Sequence, residues 1–174
     1  MGPAGGGKST SVRAVHDRLA PETRSVLLAP VRSDGSTPLT DLLTVEVGVL
    51  SGRNLRLQLL TAPGEVERSE VRSRVLASAD GMIFVADSAP DRLDANRDAL
   101  AAVRMTLRDL GNPETLPLVF QYNKRDLPEA LAEEELERAL NPAGRPAFSS
   151  VARQREGVIE PLTAVSERVI RALA

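Results

Sequence analysis

Apolar positions along the chain change period several times, and each change predicts an element. Val12, Val15 and Leu19 recur at helical spacing from Ser9 to about Ala20, where Pro21 ends a short first helix. Ser25 to Ala29 is a brief apolar stretch, and Val31 to Asp41 is turn-rich without any period, so it is expected as a mobile loop. Leu43 to Leu50 and Leu55 to Leu60 are β-compatible runs joined by Ser51 to Asn54, which predicts an antiparallel hairpin. Thr61-Ala62-Pro63-Gly64 breaks the second strand, and Val71, Val75 and Leu76 then share one face of a helix over Val66 to Ala79.

Further along, Gly81 to Ala86 is a short, continuously apolar run, as expected for a strand covered on both faces. Asp91 to Leu110 carries Leu93, Leu100, Val103, Leu107 and Leu110 on one helical stripe, with Gly111 as a C′ residue and Pro113 behind it. Leu116 to Tyr122 reads as another buried strand, and Pro128 is expected to open a helix reaching about Leu140, with Glu133, Glu134, Glu135 and Glu137 on its solvated face. A final short strand ends at Ala147 to Ser149, and Ile159, Leu162, Val165, Val169 and Ile170 mark a closing amphipathic helix. Alternation of strands and helices predicts an α/β fold of three layers in one domain over residues 1–174: a mostly parallel sheet with one antiparallel strand, and helices on both faces.

Composition narrows the function. The chain of 174 residues has no cysteine, one histidine (His16) and four aromatic side chains, which excludes disulfide scaffolds, thiolate zinc sites, paired-histidine catalysis and aromatic platforms for single-stranded nucleic acid. Its 22 basic residues against 24 acids give a net charge of −2, which argues against a nucleic-acid or anionic-membrane partner. No apolar run approaches the length of a membrane span and no leader pattern is visible, so a cytoplasmic protein without a transmembrane segment is expected. All but two of the basic residues are arginine, and the two lysines are Lys8 and Lys124.

Both lysines fall in motifs. Gly2-Pro3-Ala4-Gly5-Gly6-Gly7-Lys8-Ser9 fits G-x-x-x-x-G-K-[ST]. In such a loop backbone N–H groups and the following helix N-terminus surround phosphates, the lysine reaches the β/γ oxygens and the hydroxyl binds Mg²⁺, which makes Gly2, Gly5, Gly6, Gly7, Lys8, Ser9 and the adjoining Thr10 candidate nucleotide ligands. The strand that normally precedes this loop is missing, so a truncated or misassigned start is expected, with a protein that lacks the strand as the alternative. Asn123-Lys124-Arg125-Asp126 follows a buried strand and fits N-K-x-D. A carboxylate at Asp126 accepts from both guanine N1–H and N2–H₂, a pattern adenine does not offer, while the Lys124 stem packs along the base.

With these motifs, the chain resembles the Ras-like small GTPases of bacteria and, among them, the MglA group. The likeness also rests on Thr61-Ala62-Pro63-Gly64, on the stretch from Phe84 to Leu93, on Asn123 to Leu127 and on Gly157-Val158. It implies a P-loop GTPase fold that binds GTP or GDP with Mg²⁺. Thr37 is then the switch I threonine that senses Mg²⁺ and the γ-phosphate, with Thr40 as the alternative register, and Ser9 and Thr37 are the metal ligands. Gly64 is implied as the switch II glycine bonding the γ-phosphate, and Val151-Ala152-Arg153 as the last guanine motif, with the Ala152 N–H toward the base O6. Asp87 is open between the Mg²⁺ shell and a structural turn. A roadblock-type dimeric activating protein and a role in cell polarity or motility are implied by the likeness alone.

Two departures bear on catalysis. Where relatives place glutamine after the switch II glycine this chain has Glu65, whose carboxylate cannot donate to water or phosphate and is repelled by the γ-phosphate. The arginine that precedes the switch I threonine in the group is Ser36 here, and Arg32 is the candidate substitute. Intrinsic hydrolysis is therefore expected to be slow or partner-dependent, with a nucleotide-binding pseudo-GTPase as the alternative. A small-molecule kinase on the same phosphate loop would need a lid segment that is not evident.

Overall fold

The computed structural model describes residues 1–28, 41–50, 52–62, 64, 69–111 and 116–173. Along these run α1 (Lys8–Arg18), β1 (Leu42–Leu50), β2 (Arg53–Leu60), α2 (Ser69–Ala77), β3 (Met82–Asp87), α3 (Leu93–Asp109), β4 (Leu118–Asn123), α4 (Glu133–Leu140), β5 (Ala147–Ser149) and α5 (Ile159–Leu173). Single 3₁₀ turns lie at Pro21–Thr23, Pro90–Arg92 and Ala152–Gln154.

The strands form the α/β arrangement expected, divided into two sheets. β3, β4 and β5 pair in parallel in that order, while β1 and β2 pair antiparallel from Leu42↔Leu60 to Leu50↔Arg53. The hairpin turn is tighter than the sequence suggests, since pairing already begins at Arg53, and Gly52 takes φ 76°. A register shift between Glu46 and Gly48 bends β1, and Gly48 absorbs it at φ 127°. The apolar stretch before the first gap joins this sheet through antiparallel bridges Arg24↔Val45 and Leu28↔Leu42.

Period-2 alternation sends the two faces of the parallel sheet to different helices. Phe84, Ala86, Phe120 and Tyr122 pack with Ala99 and Leu100 of α3 and Leu136 and Leu140 of α4. On the hairpin side, Leu43 and Val45 of β1 pack with Val12 and Val15 of α1 and with Val158 and Leu162 at and beside the start of α5. The stripe on α3 buries Ala99, Leu100, Val103 and Leu107, and its end is closed by Gly111 at φ 72° with an N–H to the Arg108 carbonyl, as its sequence predicts. The helix expected from Pro128 begins only at Glu133. Tertiary bonds hold the segment before it: the Leu131 N–H donates to the Ser88 carbonyl at 2.9 Å and the Arg125 guanidinium to the Leu131 carbonyl at 2.5 Å.

Between the two sheets lies a cavity of about 540 Å³, bounded by Arg56 to Thr61 of the hairpin on one side and by Gly81, Ile83 and Val85 on the other. Its rim near the phosphate loop is bridged by backbone. The Met1 amino group donates to the Ile83 carbonyl at 2.8 Å and the Val85 N–H donates to the Met1 carbonyl at 2.9 Å, which is a single parallel pairing opposite Phe84.

Candidate nucleotide site

Gly2 to Gly7 wrap from the end of that pairing into α1, and the glycines are required by close approach as well as by turn geometry. A Cβ on Gly2 would lie 2.1 Å from the Val85 carbonyl oxygen, and one on Gly7, at φ 98°, would lie 2.1 Å from Asn123 Nδ2. The Gly6 N–H closes a turn on the Pro3 carbonyl at 3.2 Å, and Lys8 Nζ donates to the carbonyls of Gly2 at 3.0 Å and Pro3 at 2.7 Å. Ser9 and Thr10 stand on the first turn of α1, Ser9 half-buried and Thr10 exposed. That turn carries no acidic side chain, so its N–H groups and dipole favour an anion.

The base loop is fastened to the phosphate loop by one side chain. Asn123, at the end of β4 and buried, donates from Nδ2 to the Gly6 carbonyl at 3.0 Å, and its Oδ1 accepts the Ala152 N–H at 3.0 Å and the Ser150 hydroxyl at 3.2 Å. One amide thus joins three segments of the motif set: Gly2 to Ser9, Asn123 to Asp126 and Val151 to Arg153. Lys124 adopts φ 67° and its Nζ donates to Asp87 Oδ2 at 2.6 Å. Asp126 is paired with Arg153 at 2.5 Å, and Val151 bridges Glu156. Here the Ala152 N–H is directed to Asn123.

Asp87 is engaged by groups of the protein itself. Its Oδ1 accepts the Ala89 N–H at 3.2 Å, and its Oδ2 takes Lys124 and, at 3.7 Å, Arg92 Nε, so both oxygens are committed within the protein. Gly64 lies directly on the phosphate loop: a Cβ there would come within 2.3 Å of the Ala4 nitrogen and 2.6 Å of Lys8 Nζ. Ser36, Thr37, Thr40, Arg32 and Glu65 lie outside the described residues.

Asp41 is a residue that sequence reasoning passed over, beyond marking the end of the loop. It is fully buried, its N–H donates to Thr61 Oγ1 at 2.9 Å, and the Thr61 hydroxyl donates to its Oδ2 at 3.0 Å. The Thr61 N–H returns to the Asp41 carbonyl at 3.1 Å, so the exit of the first loop is locked to the start of the second. Asp41 Oδ1 has no hydrogen-bond partner among the described residues, a costly state for a buried carboxylate. No cluster of three acidic or histidine ligands occurs among the described residues.

A parallel sheet flanked by helices, a phosphate loop at a helix N-terminus and an N-K-x-D loop fastened to it define a P-loop GTPase. No family model matches the chain. It is 36% identical over 173 residues, 99% of the chain and 89% of the relative, to the mutual gliding-motility protein MglA of Myxococcus xanthus. It is also 32% identical over 123 residues to elongation factor 4 of Campylobacter curvus, covering 69% of the chain but 19% of that protein, and 31% identical over the same length to elongation factor 4 of Campylobacter concisus. The chain belongs to the MglA family of Ras-like small GTPases. Among the described residues no helix is long and apolar enough to cross a membrane.

Proposed function

We propose that the whole chain acts as one guanine-nucleotide-dependent switch that binds GTP and GDP with Mg²⁺ and hydrolyses GTP slowly or with a partner's help. The observation that carries this reading is the Asn123 side chain bonded to both Gly6 and Ala152, because it sets the phosphate loop and the base loop at one site. Backbone N–H groups of Gly5 to Lys8 cradle the phosphates, Lys8 leaves the Gly2 and Pro3 carbonyls for β/γ oxygens, and Asp126 leaves Arg153 to accept guanine N1–H and N2–H₂. Ser9, Thr37 and the unpartnered oxygen of Asp41 would hold Mg²⁺, which supplies charge neutralisation between the β- and γ-phosphates. Thr37 and Gly64 order their segments when a γ-phosphate is present, and the Asp41–Thr61 lock transmits that ordering between them.

Glu65 and Ser36 favour a second reading, a hydrolysis-deficient pseudo-GTPase that serves as a nucleotide-binding scaffold. A dimeric roadblock-type activating protein and a role in cell polarity or motility rest on the resemblance to the MglA group alone, and the name of the Myxococcus relative supports only the link to motility. Titration with GDP and GTP against ADP and ATP tests the site: guanine-selective binding is expected, and equal affinity for adenine nucleotides overturns it. Single-turnover hydrolysis with and without a candidate partner separates the switch from the scaffold.

A further inference from the structure

Beyond the residues of the motifs, we infer that Asp87 and Arg92 form a brace that positions the phosphate loop relative to the base loop. The carboxylate is held in a fixed direction. The Asp87 N–H donates to Asn96 Oδ1 at 2.9 Å and Asn96 Nδ2 donates back to the Asp87 carbonyl at 2.8 Å, so the residue is clamped on both sides where β3 ends. From this buried point the carboxylate engages two cations on different segments, Lys124 of the base loop at 2.6 Å and Arg92 at 3.7 Å. Arg92 in turn spends its other edge on the phosphate loop, its Nη2 donating to the Ala4 carbonyl at 2.6 Å.

A guanidinium suits this task because it presents separate N–H groups at fixed angles, so one edge faces a carboxylate while another reaches a carbonyl. An ammonium cannot span both. Burial of the Asp87 carboxylate makes the pairing obligatory, since a desolvated charge without a partner is expensive. The result is a continuous path, Ala4 carbonyl to Arg92 to Asp87 to Lys124, that runs beside the Gly6–Asn123–Ala152 path but on charged groups. This role rests on the nucleotide-binding reading, because what the brace positions are that reading's phosphate and base contacts.

Hydrogen exchange of the nucleotide-free protein, paired with GDP titration, tests it. Arg92→Ala is expected to raise amide exchange of residues 2–8 at least fivefold with little change in α3 or β4, and to weaken GDP binding about tenfold while the preference for GDP over IDP, read by Asp126, is retained. Arg92→Lys keeps the buried carboxylate neutralised and serves if the alanine variant does not fold; it is expected to loosen residues 2–8 in the same way. In an Asp87→Asn background the effect of Arg92→Ala should shrink by more than half. Unchanged exchange of residues 2–8 in both Arg92 variants overturns the brace, as does full additivity with Asp87→Asn. Failure of the wild-type protein to bind guanine nucleotide would overturn the reading of the site, and the exchange data would still decide on the brace.

Discussion

Asn123 Nδ2 donates to the Gly6 carbonyl at 3.0 Å across 117 residues of sequence, and the space between them is too small for a Cβ on Gly7. Truncation in Asn123→Ala leaves the Gly6 carbonyl and the Ala152 N–H buried without partners, at roughly 1–3 kcal/mol for each such group. The variant is expected to lose about 2–4 kcal/mol of stability, measured by urea unfolding, and at least tenfold in GDP affinity. A variant as stable as wild type would show that water replaces the amide.

Gly64→Ala separates two nucleotide states. The added methyl meets the Ala4 nitrogen and Lys8 Nζ, so residue 64 cannot lie against the phosphate loop as Gly64 does here. GTP binding is expected to fall at least tenfold, with GDP binding within twofold of wild type, by titration with each nucleotide. Equal losses for both nucleotides would mean that this contact serves general folding of the loop.

On the proposed reading, Glu65→Gln replaces a carboxylate, which cannot donate to water or phosphate, with an uncharged amide that can. Single-turnover GTP hydrolysis is expected to rise by about tenfold or more, at the low end of what a positioned catalytic group contributes. No rise over wild type would sink the account of slow turnover based on Glu65.

The Met1 amino group, which donates to the Ile83 carbonyl at 2.8 Å, has its pKa lowered from 8.0 to about 5, first by desolvation and then by Lys8. Between these values the unfolded chain holds a proton that the folded chain has released, so stability rises with pH through that window, by up to about 4 kcal/mol. Urea unfolding between pH 5 and 8 should show that slope. Extending the chain upstream of Met1 with an apolar strand converts the amine to an amide, and the strand is expected to enter the cavity beside β3. The slope should then vanish and GDP affinity increase; equal affinity for both forms would show that the strand is dispensable to the site.

Local spacing made much of this protein legible. The glycines, lysine and serine of residues 2–9 and the Asn-Lys-x-Asp run need only a loop next to a helix or strand to declare their chemistry, and the α3 stripe with Gly111 behind it declares a helix and its end. Where the sequence misled, a contact from elsewhere had taken over. Pro128 marks a permitted helix start, but the Leu131 N–H is drawn to Ser88 and the helix waits until Glu133. The sequence pattern makes the hairpin connection two residues too long at its far end, because side-chain pattern does not disclose where ladder pairing begins.

By itself the sequence determined which groups could meet a phosphate and a guanine base, since those capacities belong to residue types at short fixed separations. Tertiary structure decided which polar groups are committed to one another. Asp41 finds Thr61 through the hairpin, Asp87 pairs with Lys124 and Arg92, and Asn123 closes on Gly6 and Ala152. Burial is the reason: once water is removed each donor or acceptor must bond to whatever the packed sheets and helices bring within about 3 Å, and that proximity is set by the fold as a whole.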